Sequence, residues 1–392
     1  MNCWIKTPVL LFTILTVHFN AWAQIETDSV KLKQEEVEEE DFSQYENVNS
    51  EGVIKLYCNP KIFDLSPNRF VSVGYDYIFN SKLTTSPYGF YQDGEPNPTP
   101  RTSKFSTHGL RVNANIPVIS KTRLLWQLGG GYVRSIYQEN SSTADSFSNA
   151  HNNFTGQLKS YGLTSTNLNT TLFIPTGEKT FAIVQAMGEL NGTYNLSNET
   201  QKPDFTTIRS SVSALYGKRP HDRFQWAVGL SRTYRAGELN YIPVVMYNYT
   251  SANRKWGTEI LFPARASYRR KFNSRSILLA GYELEGTSYR IYNTKESVEL
   301  KPGINPLPPV EKSDFELRRS ELRFRLDYQR QLKGFVWMSV QAGVRYDLSY
   351  NVDALDGGND FFRGFFGSQR YLMLNQVGLA PYLNVSINLV SP

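Results

Sequence analysis

The sequence predicts an all-β chain: a transmembrane antiparallel up-and-down β-barrel of about 12–14 strands, with 14 the best count. Three observations lead there. Apolar and polar residues alternate with period two over long stretches. The stretches outlast ordinary soluble strands. The connections between them alternate between long and short.

Other classes fall away first. With 23 Phe, 24 Tyr and 6 Trp, most of the chain cannot stay solvated. Two cysteines, Cys3 and Cys58, exclude a disulfide scaffold. Beyond the first residues no apolar run approaches the roughly 20 residues that a spanning helix needs.

The N-terminus reads as an address. A positive Met1–Lys6 leads into an apolar Thr7–Phe19 and then the small-x-small site Ala21-Trp22-Ala23, which makes residues 1–23 a cleaved signal peptide. Residues 24–66 are expected to form an acidic periplasmic tail or linker. Glu26, Asp28, Glu35, Glu36, Glu38, Glu39, Glu40, Asp41 and Glu46 face only Lys31 and Lys33, and such a block repels itself. It reads as a solvated linker in preference to a strap folded into a basic lumen. Residues 67–392 are assigned to the barrel.

Side chains of a strand point to opposite faces in turn, so alternation defines an apolar wall over a polar one. Val71, Val73, Tyr75, Tyr77 and Phe79 share a face in the first clear strand. In the last, Val377, Leu379, Pro381, Leu383, Val385, Ile387 and Leu389 oppose Gln376, Gly378, Ala380, Tyr382, Asn384, Ser386 and Asn388. The strand before it opposes Val336–Leu348 to Trp337–Ser349 in the same way. Several runs reach roughly 14 to 18 residues, against about 3–10 in soluble strands. Tyr77, Tyr137, Tyr194, Tyr216, Tyr234 and Tyr292 lie near run ends, where a barrel carries aromatic girdles.

Long connections fall near 81–103, 138–157, 195–205, 294–314 and 353–369. Short ones fall near Pro117–Lys121, Pro175–Lys179, Lys218–Asp222, Asn273–Arg275 and Lys333–Gly334. Outer-membrane barrels have long outer loops and short periplasmic turns, and an even strand number returns the chain to the periplasm. Residues 239–272 hold the strand count open: Ile242–Tyr249 is one short strand, and Trp256–Phe272 is either one strand kinked at Pro263 or two. Parity favours two.

With the apolar faces toward lipid, the inward set includes Asp76, Arg111, Glu189, Arg209, Glu259, Arg265, Arg269, Glu283, Glu285, Arg319, Glu321, Arg323, Arg325, Asp327, Arg345 and Asp347. Acids and arginines balance. The stretch Arg319-x-Glu321-x-Arg323-x-Arg325-x-Asp327 should pair with Glu283 and Glu285 on one side and Arg345 and Asp347 on the other. These groups line either a water-filled pore or a lattice of ion pairs that fills a narrow barrel.

Catalytic chemistry is sparse, and no cofactor or metal ligand set is expected. Ser106 and His108 have i, i+2 spacing, but no third orienting group accompanies them. Asp353, Asp356, Asn359 and Asp360 do not follow the EF-hand spacing. Phe361, Phe362, Phe365 and Phe366 in one outer loop are the candidates for loop-mediated binding. Arginines alternate with acids along strands, which is not a phosphate-binding footprint, so no nucleic acid is expected.

The chain resembles a Gram-negative outer-membrane β-barrel family of unknown function over roughly residues 69–392. The resemblance rests on the signal peptide, the hairpin alternation, Tyr241-Ile242-Pro243-Val244 and Leu261-Phe262-Pro263-Ala264 around Trp256, and Leu379-Ala380-Pro381-Tyr382-Leu383-Asn384. It implies export to the outer membrane and contact with outer-membrane lipid, lipopolysaccharide and the assembly machinery. One departure is the ending Leu389-Val390-Ser391-Pro392, where many such barrels end in an aromatic residue. The expected function is passive passage of small or hydrophobic solutes, the solute itself unknown, or a structural role. The alternative is a binding or adhesion barrel, and an outer-membrane lipid hydrolase ranks last; no enzymatic activity is expected.

Overall fold

The computed structural model describes residues 62, 64–87, 101–121, 123–142, 149–194, 203–234, 237, 239–292, 315–354 and 373–390. The signal peptide, the acidic block and the Phe361–Phe366 loop lie outside these residues.

Fifteen strand segments follow one another: β1 Arg69–Pro87, β2 Arg101–Lys121, β3 Leu124–Ser142, β4 Leu163–Pro175, β5 Thr180–Gly192, β6 Arg209–His221, β7 Phe224–Thr233, β8 Asn240–Thr250, β9 Trp256–Phe262, β10 Arg265–Asn273, β11 Ser276–Ile291, β12 Phe315–Lys333, β13 Val336–Ala354, β14 Met373–Val377 and β15 Ala380–Val390. From β1 to β14 each pairs antiparallel with the next, and β14 and β15 both lie between β13 and β1. The last two segments are one stave broken at Gly378-Leu379, where the Gly378 amide donates to Lys82 O at 2.7 Å. The result is a closed antiparallel 14-strand barrel. Up to the level of the β9–β10 tip, closure leaves no sheet edge to face lipid, which is the condition for crossing a bilayer with strands.

The alternation dictates the exterior. Val73, Tyr75 and Phe79 of β1, Phe324 and Leu326 of β12, Tyr346 and Leu348 of β13, and Leu383, Val385 and Ile387 of β15 are exposed. Their neighbours Asn384, Ser386 and Asn388 are buried. The uncertain stretch resolves into two short strands, β9 and β10, joined at Pro263-Ala264. The first residue of β1, Arg69, and the last of β15, Val390, lie at the short-turn end, which by the rule of outer-membrane barrels is periplasmic.

The β9–β10 hairpin is too short to reach the outer end. The ladder β8–β9 stops at Val245↔Phe262 and β10–β11 stops at Arg265↔Glu283, with a last bond from Leu284 N to Ala264 O at 2.7 Å. Above this level, among the described residues, no ladder joins β8 to β11. On the far side, β6 pairs β5 only up to Glu189↔Arg209. The two strands that have lost neighbours meet each other. Arg290 of β11 pairs with Gly192 of β5, Thr193 N donates to Arg290 O at 2.9 Å, and Asn191 Nδ2 donates to Thr287 Oγ1 at 2.8 Å.

The outer half of the barrel is thereby pinched. Strands β11–β14 and β1–β5 enclose an apolar core of Leu83, Phe105, Tyr137, Leu163, Ile291, Phe315, Leu317, Tyr350, Val352 and Met373. Helix α1 (Asn149–Tyr161) supplies Phe154 and Leu158 to it. Sequence reading left 138–157 as a loop. The i, i+4 apolar pair was the available signal, with Gly162 beyond it at φ 68°, a backbone conformation that suits glycine as a helix stop. The expected girdle is corrected in the same region. Tyr77 and Tyr216 do face outward, but Tyr137 is buried and accepts from the Tyr350 hydroxyl at 3.0 Å. Tyr194 is buried against Thr166, 2.7 Å away, and Tyr234 and Tyr292 lie under the guanidinium groups of Arg209 and Arg290.

Leu158 is fully buried in this core. Leu158→Ala is expected to cost about 2–5 kcal/mol in urea unfolding of the refolded barrel, the range for a buried Leu whose cavity does not collapse. Leu168→Ala, on the exterior at 73% exposure, is expected to cost far less.

Candidate functional site

The interior is layered along the barrel axis. At the short-turn end, residues 64–68 cross the mouth ahead of β1. Asp64 pairs with Lys271 Nζ at 2.6 Å and lies 3.7 Å from Arg254 Nε. The Ser66 amide and hydroxyl both donate to Glu259 Oε1, at 2.8 and 2.6 Å. Arg69 Nη2 reaches Asp327 at 3.1 Å. β1 and the β9–β10 hairpin stand on opposite sides of the ring, so this segment is a crossbar.

Above it is a cavity of about 470 Å³. Asp76, Arg111, Glu283, Glu285, Arg323, Arg325 and Asp327 line one side, and Asn113, Asn115, Gln127, Asn169 and Gln185 line the other. Arg265, at the tip of the short hairpin, also lines it, so the cavity extends to the foot of the gap between β8 and β11. Glu259, the crossbar's acceptor, also takes Nη1 of the fully buried Arg269 at 2.7 Å. Gly257 makes room for that guanidinium: a Cβ there would lie 2.5 Å from Arg269 Nη2.

The cavity's roof is ionic. Register alone would set like charges opposite each other, Glu285 against Glu321 and Arg323 against Arg345. The side chains therefore pair diagonally and across the lumen. Arg111 of β2 clamps Glu285 of β11 with two hydrogen bonds, 2.9 and 3.1 Å, and donates Nε to Asp76 at 3.2 Å. Arg323 joins Glu285 at 3.2 Å and Glu321 at 2.6 Å. Arg319 holds the other Glu321 oxygen at 2.6 Å, Arg345 lies 3.1 Å from Asp347, and Arg325 pairs with Glu283. A fork-shaped guanidinium suits such bidentate bridging. Above the roof begins the apolar core with α1.

Of the candidates named from sequence, Asp76, Arg111, Glu283, Glu285, Arg319, Glu321, Arg323, Arg325, Arg345 and Asp347 come together in or under this roof, while Asp327 sits lower, beside the crossbar. Arg209 stands apart. From the inner face of β6 it reaches Glu316 at 2.8 Å. Glu316, Arg318 and Ser320 lie on the face of β12 that points to lipid lower down, yet they are buried. The pinch explains this. Upper β11 and β12 have moved inward, so β6 and the β7–β8 connection stand outside them, with Gly237 against the backbone of Arg318 and Arg319. Period-two reading could not anticipate that burial.

Sequence reading also missed the uncharged wall. Leu125, Phe173, Phe181, Leu215, Ala227, Val244 and Met246 form a buried cluster on the inner faces of β3–β8, so the lumen is not polar all round. Ser66, Asp64 and Arg69 were missed because a crossbar has no periodic signature. Ser106 and His108 are not joined: Ser106 Oγ donates to Asn140 at 3.2 Å, and His108 stacks on Tyr75 with ring centroids 6.2 Å apart. Asp353 pairs with Arg318 at 3.2 Å.

The closed ladder and the apolar exterior define a β-barrel of the kind that crosses a bilayer with strands. Three similar solved structures are an outer membrane channel from Pseudomonas putida F1 (11% identity, 84% of this chain, 99% of that chain, TM-score 0.30), the Pseudomonas putida toluene transporter TodX (8%, 86%, 93%, 0.32) and a Pseudomonas aeruginosa FadL homologue (9%, 82%, 89%, 0.32). No protein-family model and no curated protein matches the chain.

Removing Arg111 leaves Glu285 held by Arg323 alone, at 3.2 Å, and Asp76 with Asn384. Arg111→Ala is expected to cost up to about 3 kcal/mol, the foot of the range for breaking one side of a buried pair. Adding Glu285→Ala should restore part of the loss, so a double-mutant cycle in urea checks whether the two are coupled; additive costs would contradict the bridge.

Proposed function

We propose that this barrel is a passive channel for small solutes, with a central chamber reached from the side instead of through the outer mouth. The observation that carries the reading is that, among the described residues, no strand pairs with β8 and β11 across the space above the β9–β10 tip, next to a chamber that Arg265 shares. The axial route is occupied by the ionic roof and the α1 core. The gap begins level with Leu284 and Leu322, near the upper margin of the apolar exterior, so it faces the outer-leaflet interface. A chamber of about 470 Å³ is within the ordinary range for small-molecule sites. Its mixture of amide, charged and nearby apolar walls suits a solute with an apolar body and a polar group. The crossbar lies between chamber and periplasm, where it limits exit.

The mature protein, refolded in a planar bilayer, is expected to show stable small conductance steps. Asn169→Trp, which places a ring in the chamber away from the ion pairs, should roughly halve the step size or more, as a narrowed pore requires. Asp64→Ala with Ser66→Ala should raise it. A folded barrel with no steps in any of the three forms would end the channel reading.

A further inference from the structure

The six short turns share one charge sign. Each carries a Lys or Arg on or beside it: Lys121, Lys179, Lys218, Lys255, Arg275 and Lys333, all exposed. The acids there are few. Glu178 and Asp222 lie in the turns, Asp222 taken by Arg219 at 3.0 Å, and Asp64 belongs to the crossbar.

Two cations near these turns, Lys218 and Arg270, have a built environment on the lipid-facing surface. Lys218 of β6 shares the outward face with Tyr216 and stands directly across the ladder from Trp226. Arg270 of β10 shares it with Tyr268 and stands across from Trp256. Trp256 stacks on Tyr268 with centroids 6.2 Å apart and packs on Tyr249 at 5.6 Å. The order Tyr, x, cation is the same on both strands. The aromatic ring is two residues farther from the turn, and both cations are exposed. Among the described residues, neither Lys218 nor Arg270 makes an ion pair.

Amphipathic aromatic rings settle at the boundary of hydrocarbon and headgroups, and a long cation beside them reaches out to the headgroup level. We propose that this face of the barrel, on β6–β7 and β8–β10 at the short-turn end, is a binding surface for anionic phospholipid headgroups of the periplasmic leaflet. Lys218 and Arg270 meet the phosphates, and Trp226 and Trp256 seat the glycerol region. The proposal is independent of solute passage, because none of these residues lines the chamber.

The readout is built in, since bromine on a lipid quenches a nearby Trp. The full mature chain is refolded in mixed micelles, and fluorescence is recorded with brominated phosphatidylglycerol or brominated phosphatidylcholine. The signal of a Trp226→Phe/Trp256→Phe variant is subtracted. Phosphatidylglycerol should reach half-quenching at a mole fraction about thirtyfold lower, as two surface cations imply, and added salt should shrink that preference. Lys218→Gln/Arg270→Gln should abolish it, whereas Lys218→Arg/Arg270→Lys should keep it. Heat-modifiable gel mobility confirms that each variant is folded. Equal quenching by the two lipids, a preference that survives the Gln pair, or full displacement by millimolar inorganic phosphate, which would mark a free-anion site, overturns the proposal.

Discussion

A backbone amide at the depth of a membrane needs a partner, and a strand whose neighbour ends early must find another. That constraint organises the upper half of this barrel. The β9–β10 hairpin turns back at Pro263-Ala264, leaving β11 without its neighbour above Leu284. β6 begins at Arg209, leaving β5 without its neighbour above Glu189. The two bereft strands join at Arg290 and Gly192, and the seam is reinforced by Tyr292 N to Thr193 Oγ1 at 3.2 Å and by the Arg290–Asp204 ion pair. The Thr206 hydroxyl and amide, and then Arg290, hold the Asp204 carboxyl below its ordinary value, so this clasp persists through mildly acidic solution and weakens as pH falls through the lowered value.

From the seam follow the other features. Pulling β11 across makes a ring small enough for one helix to fill, which is why α1 can bring Phe154 and Leu158 into a dry core. It also moves Glu316, Arg318 and Ser320 from a lipid-facing row to a buried one. Below the pinch the barrel keeps its full circumference, and a chamber remains. The ionic roof divides the two regimes. Its arginines and acids are balanced, and its cross-lumen clamp from Arg111 to Glu285 ties opposite walls together at the level where the wall is about to open.

Much of the fold was legible. Period two fixes which residues face out, and it does so for β1, β13 and β15 almost residue by residue, because a one-residue slip would reverse every side chain. The two short strands β9 and β10 were legible through parity and Pro263. The segments Tyr241–Val244 and Leu261–Ala264 also stood out, and they turn out to flank the gap. Pro243 is tolerated on the upper part of β8, where β9 no longer pairs with it, because proline suits a strand with an open edge. What these segments do was not legible, since periodicity records which face a residue occupies and not where its neighbouring strand stops. The charged candidates were found because inward charge on a lipid-crossing strand is conspicuous. The crossbar, the uncharged wall and the α1 core were not, because contacts between residues far apart in the chain leave no local pattern.

The pinch stands on the junction of β5 with β11. Amide hydrogen exchange of the refolded barrel, read by NMR at Thr193 and Tyr292, reports on it, because both amides sit past the ends of their own strands and donate across the seam. Exchange far slower than that of a free loop is expected at both positions. Exchange at free-loop rates, with neighbouring β5 amides still protected, would mean that the strands stay apart and that the outer half is not pinched.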